Sequence, residues 1–195
     1  AAFAGAGQIT RWAEDRFYGD HIVYSESSPY QRVVVTSSNT GVRLFLNGNL
    51  QFHSRDEYRY HEALVHPAMA AQGAPKKVLV LGGGDGMAVR EVLRHASVES
   101  VTLVELDPHM TALFAHAPML RALNGDALNS PKLQVVNADA FAWLEQHDEV
   151  LRQEADRIDD ELAFAQEHRA GLGDAETPAH HADVDVVQFG RLAQC

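Results

Sequence analysis

Cysteine is almost missing from this chain: of 195 residues only Cys195, at the very end, is one. That excludes an intrachain disulfide framework and a cysteine-rich zinc site. Basic residues are also scarce, 16 Lys plus Arg against 27 Asp plus Glu, for a formal charge of -11. Such a balance argues against nonspecific nucleic-acid binding and against docking on anionic lipid, and it leaves cationic partners open. No apolar run approaches the roughly 20 residues of a membrane span, no signal peptide is evident, and there is no internal repeat. The expectation is a soluble, cytoplasmic globular protein, in keeping with 46% apolar and 22% charged residues.

The acidity is uneven. Residues 145–195 hold 13 acidic and 4 basic side chains, a net of -9, whereas residues 1–144 come to only -2. The segment LRQEADRIDDELAFAQEHRA reads as an exposed amphipathic helix, and the tail as a solvated face rather than an interaction element.

Two different patterns precede that tail. HIVYS, QRVVVT and VRLFLN are rich in β-branched and aromatic residues and are separated by the turn signals SSPY and SSNTG. Asn47-Gly48 then stands between two such runs, the strongest short-range hairpin signal. A helix over EYRYHEALVHPAMA follows, capped by Ser54 or Asp56 and ended near Gly73-Ala74-Pro75. From Lys76 the pattern changes to strand–helix alternation: KVLVL, GGGDG, MAVREVLRHA, VTLVEL, a helix opening at Asp107-Pro108, a loop with Asn124-Gly125, KLQVVN, and a helix from Asp139. Continuous apolar strands alternating with helices predict an α/β, Rossmann-like parallel-sheet domain, preceded by a small antiparallel β domain. The expected divisions are residues 1–54, 55–150 and an acidic divergent tail, 151–195, with VDVVQF as one more short strand.

The chemistry concentrates at the strand ends. In VLVLGGGDG a strand runs through Gly82, Gly83 and Gly84 into a helix, a turn that lets backbone approach a ligand closely. Twenty residues past Asp85, Glu105 ends the next strand, placed to accept hydrogen bonds from both ribose hydroxyls. Glycines serving only a tight connection are the plain alternative. Asp85 is the informative oddity: a carboxylate in a glycine turn repels phosphate and the carboxylate of a methionine moiety, but attracts an ammonium. The ligand this favours is a nucleoside with a positive amine and no adjacent carboxylate. Asp139, after the third strand, is placed to accept from an adenine amino group, or to cap its helix; both can hold.

YQRVVV, LFLNGNLQFHSRDEYRYHEALVHP, VLVLGGGDG, VELD and NADAF occur in order between about Val23 and Leu144. In these five motifs the chain resembles the spermidine synthase (polyamine aminopropyltransferase) family, whose core is of the class I methyltransferase-like type. The resemblance implies transfer of an aminopropyl group from decarboxylated S-adenosylmethionine, a co-substrate, to putrescine or a related amine, with no resident cofactor and no metal. It implies that Gln31 and Gln51 line the nucleoside cleft, that His61 with Glu62 helps bind the polyamine, and that Asp85 holds the ammonium. Glu105 would take the ribose, and Asp139 with the Ala140 backbone the adenine. Without the resemblance His61 would be a packing histidine, and the two glutamines ordinary strand residues. The family also implies a homodimer or homotetramer. Some bacterial relatives with this wording carry a membrane-spanning region before the enzyme domain, and AAFAGAG is a candidate trailing edge of one.

One departure stands out. The family's catalytic base is an aspartate in an Asp-rich, proline-containing loop after the fourth strand. Beyond Leu144 no such loop is found, and Gln188 and Gly190 stand where carboxylates are wanted. The catalytic residue is therefore unassigned, and the Rossmann-like domain is expected to be incomplete at its C-terminus. The competing functions are a noncatalytic nucleoside- or polyamine-binding protein and a methyltransferase, the latter disfavoured by Asp85.

Overall fold

The computed structural model describes residues 16–147; AAFAGAG, the acidic segment 151–195, VDVVQF, Gln188 and Gly190 lie outside them. The chain divides into two compact units, Ala1–Tyr60 and His61–Cys195. The division falls inside the helix that follows the β-rich region, six residues past the boundary expected from the strand and turn pattern.

In the first unit β1 (His21–Ser27), β2 (Arg32–Ser38), β3 (Gly41–Leu46) and β4 (Asn49–His53) form an antiparallel meander in the order β1-β2-β3-β4. Val33, Val34 and Val35 on β2 are fully buried, so this strand is covered on both faces. The Asn47-Gly48 turn takes positive φ at both residues, 50° and 81°, the combination that matches the strand twist of a two-residue hairpin. Asn47 also ties the turn to β2: its N–H donates to the Arg32 carbonyl and its Oδ1 accepts from the Arg32 N–H, both at 2.9 Å.

Helix α1 (Glu57–Gln72) comes next. Of its two expected caps, Ser54 is committed elsewhere: its Oγ accepts from the Val42 N–H at 3.0 Å, holding the start of β3.

The second unit is built on three parallel strands, β5 (Lys77–Leu81), β6 (Ser100–Glu105) and β7 (Leu133–Asn137), in the order β5-β6-β7. Between them lie α2 (Met87–Leu93), α3 (Pro108–His116), α4 (Pro118–Leu123) and a short 3₁₀ turn (Ala127–Asn129). A fifth helix, α5, opens at residue 140 and is described to 147. Val78, Leu79, Val80 and Leu81 are all buried, as a continuous apolar strand between two helical layers requires. On one face Leu79, Leu81 and Val104 are covered by Val136, Ala138, Ala140, Trp143 and Leu144. The expected α/β architecture with a small antiparallel sheet before it is what the chain forms. No helix among the described residues is long and apolar enough to cross a membrane.

Candidate nucleoside site

The parallel register decides where the motifs meet. Leu81 pairs with Val104 and Glu105 with Asn137, so the three strands end together and the segments leaving them share one edge of the sheet. The glycine turn leaves β5, Glu105-Leu106-Asp107 leaves β6, and Asp139 follows β7. Crevices at the carboxyl ends of such strands are where open α/β sheets take ligands.

Gly84 and Glu105 form the centre. The Gly84 N–H donates to Glu105 Oε2 at 2.8 Å, and the Asp107 N–H donates to Oε1 at 2.9 Å. A Cβ on Gly84 would stand 2.8 Å from Glu105 Cγ and 3.0 Å from Oε2, so a side chain there would push the carboxylate away. Two backbone donors fix the orientation of Glu105 and leave about two of a carboxylate's four acceptor positions for hydroxyl groups of a ligand. Burial pushes the Glu105 carboxyl above its ordinary pKa; the N–H bonds from Asp107 and Gly84 work against that, and the Asp85 and Asp107 carboxylates nearby add to it. Glu105 thus has two further carboxylates beside it at this edge, a setting that favours a cationic guest.

Asp85 is half-buried and held in place from two sides. Its Oδ1 accepts from the Met87 N–H at 2.9 Å, across the start of α2. Its carbonyl accepts from Asn124 Nδ2 at 3.0 Å, and the same amide group donates to the Phe114 carbonyl at 3.2 Å. Asn124 has no exposed surface. Reading it as part of an ordinary Asn-Gly loop missed this role. The only signal was an asparagine in a long connection, where nothing local shows that it bonds to a turn 39 residues earlier.

Asp139 does cap its helix: Oδ1 accepts from the Ala142 N–H at 2.9 Å and its carbonyl from the Trp143 N–H at 2.9 Å. Ala140 opens the helix and packs beneath it on the sheet. Leu106 and Phe141, which sequence reasoning did not single out, remain exposed apolar side chains on the segments that carry Glu105 and Asp139.

The other expected residues are carried by elements outside the parallel sheet. Gln31 and Gln51 belong to the first unit. The Gln31 backbone closes the β1–β2 turn through Ser28, and Gln51 Nε2 donates weakly to the Asn49 carbonyl at 3.4 Å. His61 is 7% exposed and lies with Val65 and Met69 on the buried stripe of α1. Glu62 turns to Arg94, 3.4 Å away.

Comparison with known proteins decides the family. Residues 57–169 match the family model described as the spermine/spermidine synthase domain. The chain belongs to this family. A polyamine aminopropyltransferase of Leptospira interrogans is 55% identical over 149 residues, 76% of this chain and 30% of that protein. The spermidine synthase of Thermotoga maritima aligns with a TM-score of 0.60 at 32% identity, over 65% of this chain and 43% of the other. A spermidine synthase in complex with the transition-state analogue AdoDATO aligns with the same TM-score at 33% identity, over 65% and 43%. The chain therefore spans less than a third of that curated relative. Within the family match fall α1 and all the strand-end motifs of the parallel sheet, Glu105 and Asp85 included.

Proposed function

We propose that this chain is the nucleoside-binding portion of a polyamine aminopropyltransferase, taking decarboxylated S-adenosylmethionine and presenting its aminopropyl group to putrescine or a related amine. The observation that carries the reading is the carboxylate group at the strand ends: Asp85, anchored by Met87 and Asn124, beside Glu105, whose pKa is raised by burial first and by the Asp85 carboxylate in addition. Such an edge disfavours a pyrophosphate or a methionine carboxylate and suits a ligand bearing a sulfonium and an ammonium. Glu105 takes the ribose hydroxyls, Asp139 and the Ala140 backbone take the adenine, with Leu106 and Phe141 offering apolar contact for the ring. Asp85 and His61 hold the amine, and Gln31 and Gln51 close the nucleoside cleft.

The reaction is a displacement. The amine lone pair forms a bond to the methylene carbon next to sulfur, the C–S bond breaks, and methylthioadenosine leaves with that electron pair. The enzyme's work is to align the amine and exclude water, because the sulfonium is already a good leaving group. The attacking amine has to shed a proton, so a base is needed. The site uses no resident cofactor and no metal, and the same reading makes the protein a cytoplasmic homodimer or homotetramer.

Ligand preference tests the binding half. Decarboxylated S-adenosylmethionine and methylthioadenosine should bind at least about tenfold more tightly than S-adenosylmethionine, a difference of about 1.4 kcal/mol, measured by calorimetry. Asp85→Asn should remove most of that preference. Equal or reversed affinities would overturn the reading in favour of a methyltransferase. Incubation with putrescine, followed by mass-spectrometric detection of spermidine, tests the chemical half; nucleoside binding without product would assign the chain to noncatalytic binding.

A further inference from the structure

Away from the strand ends, the second unit contains a buried carboxylate that the proposed reaction does not use. The Glu91 side chain, in the middle of α2, is only 2% exposed. A buried charge needs partners, and Glu91 has three. Its Oε1 accepts from Arg90 Nε at 2.8 Å, its Oε2 accepts from Arg94 Nη1 at 2.7 Å, and His66 Nε2 lies 3.3 Å from Oε2. His66 Nδ1 is in turn 2.9 Å from His95 Nε2, and Arg94 Nη1 reaches Glu62 Oε1 at 3.4 Å. Arg90 Nη1 also donates to the Leu123 carbonyl at 2.7 Å, at the end of α4.

Glu62, His66 and Glu91 have the donor types of a metal site, and their ligand atoms lie within 4.8 Å of one another. Arg94 Nη1, however, already bridges the two carboxylates, and two arginines balance two glutamates. The cluster is a neutral polar network, not a cation site awaiting an ion. What it does mechanically is join two helices: Glu62 and His66 come from α1, Arg90 and Glu91 from α2, with Arg94 and His95 directly after α2.

Each helix is joined in sequence to one of the two residues read above as holding the amine. His61 is five residues before His66 on α1, and Asp85 is six residues before Glu91, at the turn from which α2 opens. α2 itself is seated on the sheet by Val89 and Val92, which have no exposed surface. The network therefore sets the position of α1 on a fixed α2. We propose that His66 and Glu91 are positioning residues that fix the placement of His61 relative to Asp85, and so set affinity for the polyamine and not for the nucleoside. This rests on the reading of His61 and Asp85 as the amine-holding pair. The residues read as nucleoside contacts, Glu105 and Asp139, are carried by β6 and the segment after β7, not by α1.

The test compares His66→Leu, which keeps bulk and removes the bond to His95 and the polar contact with Glu91, with His66→Gln, which keeps a polar amide at that position. Methylthioadenosine is titrated first by calorimetry, then putrescine or spermidine into the saturated protein. Losing the bond to His95 and the contact with the Glu91 carboxylate predicts about tenfold weaker amine binding for His66→Leu, nucleoside binding within about twofold of wild type, and substantial recovery in His66→Gln. Arg94→Ala, at an exposed side chain, should shift amine affinity in the same direction by about threefold and serves if His66→Leu does not fold. Parallel loss of both affinities, or no change in amine affinity, would overturn the proposal. Wild-type protein that binds methylthioadenosine but no amine would instead overturn the functional reading on which it rests.

Discussion

Gly84 and Gly48 are glycines for different reasons, and the difference predicts different losses. At Gly84 the constraint is space. An added Cβ meets Glu105 at 2.8 Å, so Gly84→Ala should displace the carboxylate and weaken methylthioadenosine binding by at least about tenfold, with little change in overall stability; calorimetry alongside a thermal melt separates the two. Glu105 itself was legible from its spacing after the glycine turn. That two backbone N–H groups hold it, and that burial, with Asp85 adding to it, raises its pKa, was not legible, because both depend on which strand lies beside which. Asn124 makes the same point more sharply. Its amide supports the Asp85 turn from a position that local sequence marks only as a loop.

Among the elements, those with strong local chemistry formed as read. The Asn47-Gly48 hairpin, the Asp107 cap with Pro108 at the first helical position, and the Asp139 helix start all carry their instructions within a few residues. Asp107 Oδ1 accepts from the His109 N–H at 3.0 Å, as an N-cap should. At Gly48 a Cβ would meet nothing within 4 Å, so the constraint there is its φ of 81° alone. Gly48→Ala should therefore destabilise the β meander by about 1 kcal/mol, and Gly48→Asn by less, since asparagine tolerates the left-handed region; denaturant melts of the variants check this. Ser54 went the other way. As a polar residue just before a helix it read as a cap, but pairing of β3 with β4 brings it beside Val42, and its hydroxyl bonds there. A tertiary partner displaced a local one.

At the scale of the whole molecule, the formal charge of -11 says little about the site. What matters is where charge is buried. Glu91 lies below its ordinary pKa: burial alone would raise it, but the hydrogen bonds from Arg90 and Arg94, with their charges, outweigh that. A carboxylate depressed in the fold contributes stability above its unfolded pKa and loses it as the pH falls through the folded value. Each unit of depression is worth about 1.4 kcal/mol. The melting temperature should accordingly fall as the pH is lowered below about 4.5, the ordinary glutamate value, and fall less steeply in Glu91→Gln than in wild type, which pH-dependent thermal melts resolve.

The succession of elements, the family, the strand-end motifs and the identity of the carboxylates there are all readable along the chain, because periodicity, turn chemistry and cap residues act over a few positions and are written in order. What those residues touch follows from how the elements pack. Parallel pairing of β5 with β6 brings Gly84 against Glu105, the fold of the α4–β7 connection brings Asn124 under Asp85, and the meeting of α1 with α2 gathers Glu62, His66, Glu91, Arg94 and His95 into one network. Each of these contacts joins residues between 20 and 40 positions apart, a separation at which side-chain chemistry no longer specifies its partner and only the packing of whole elements does.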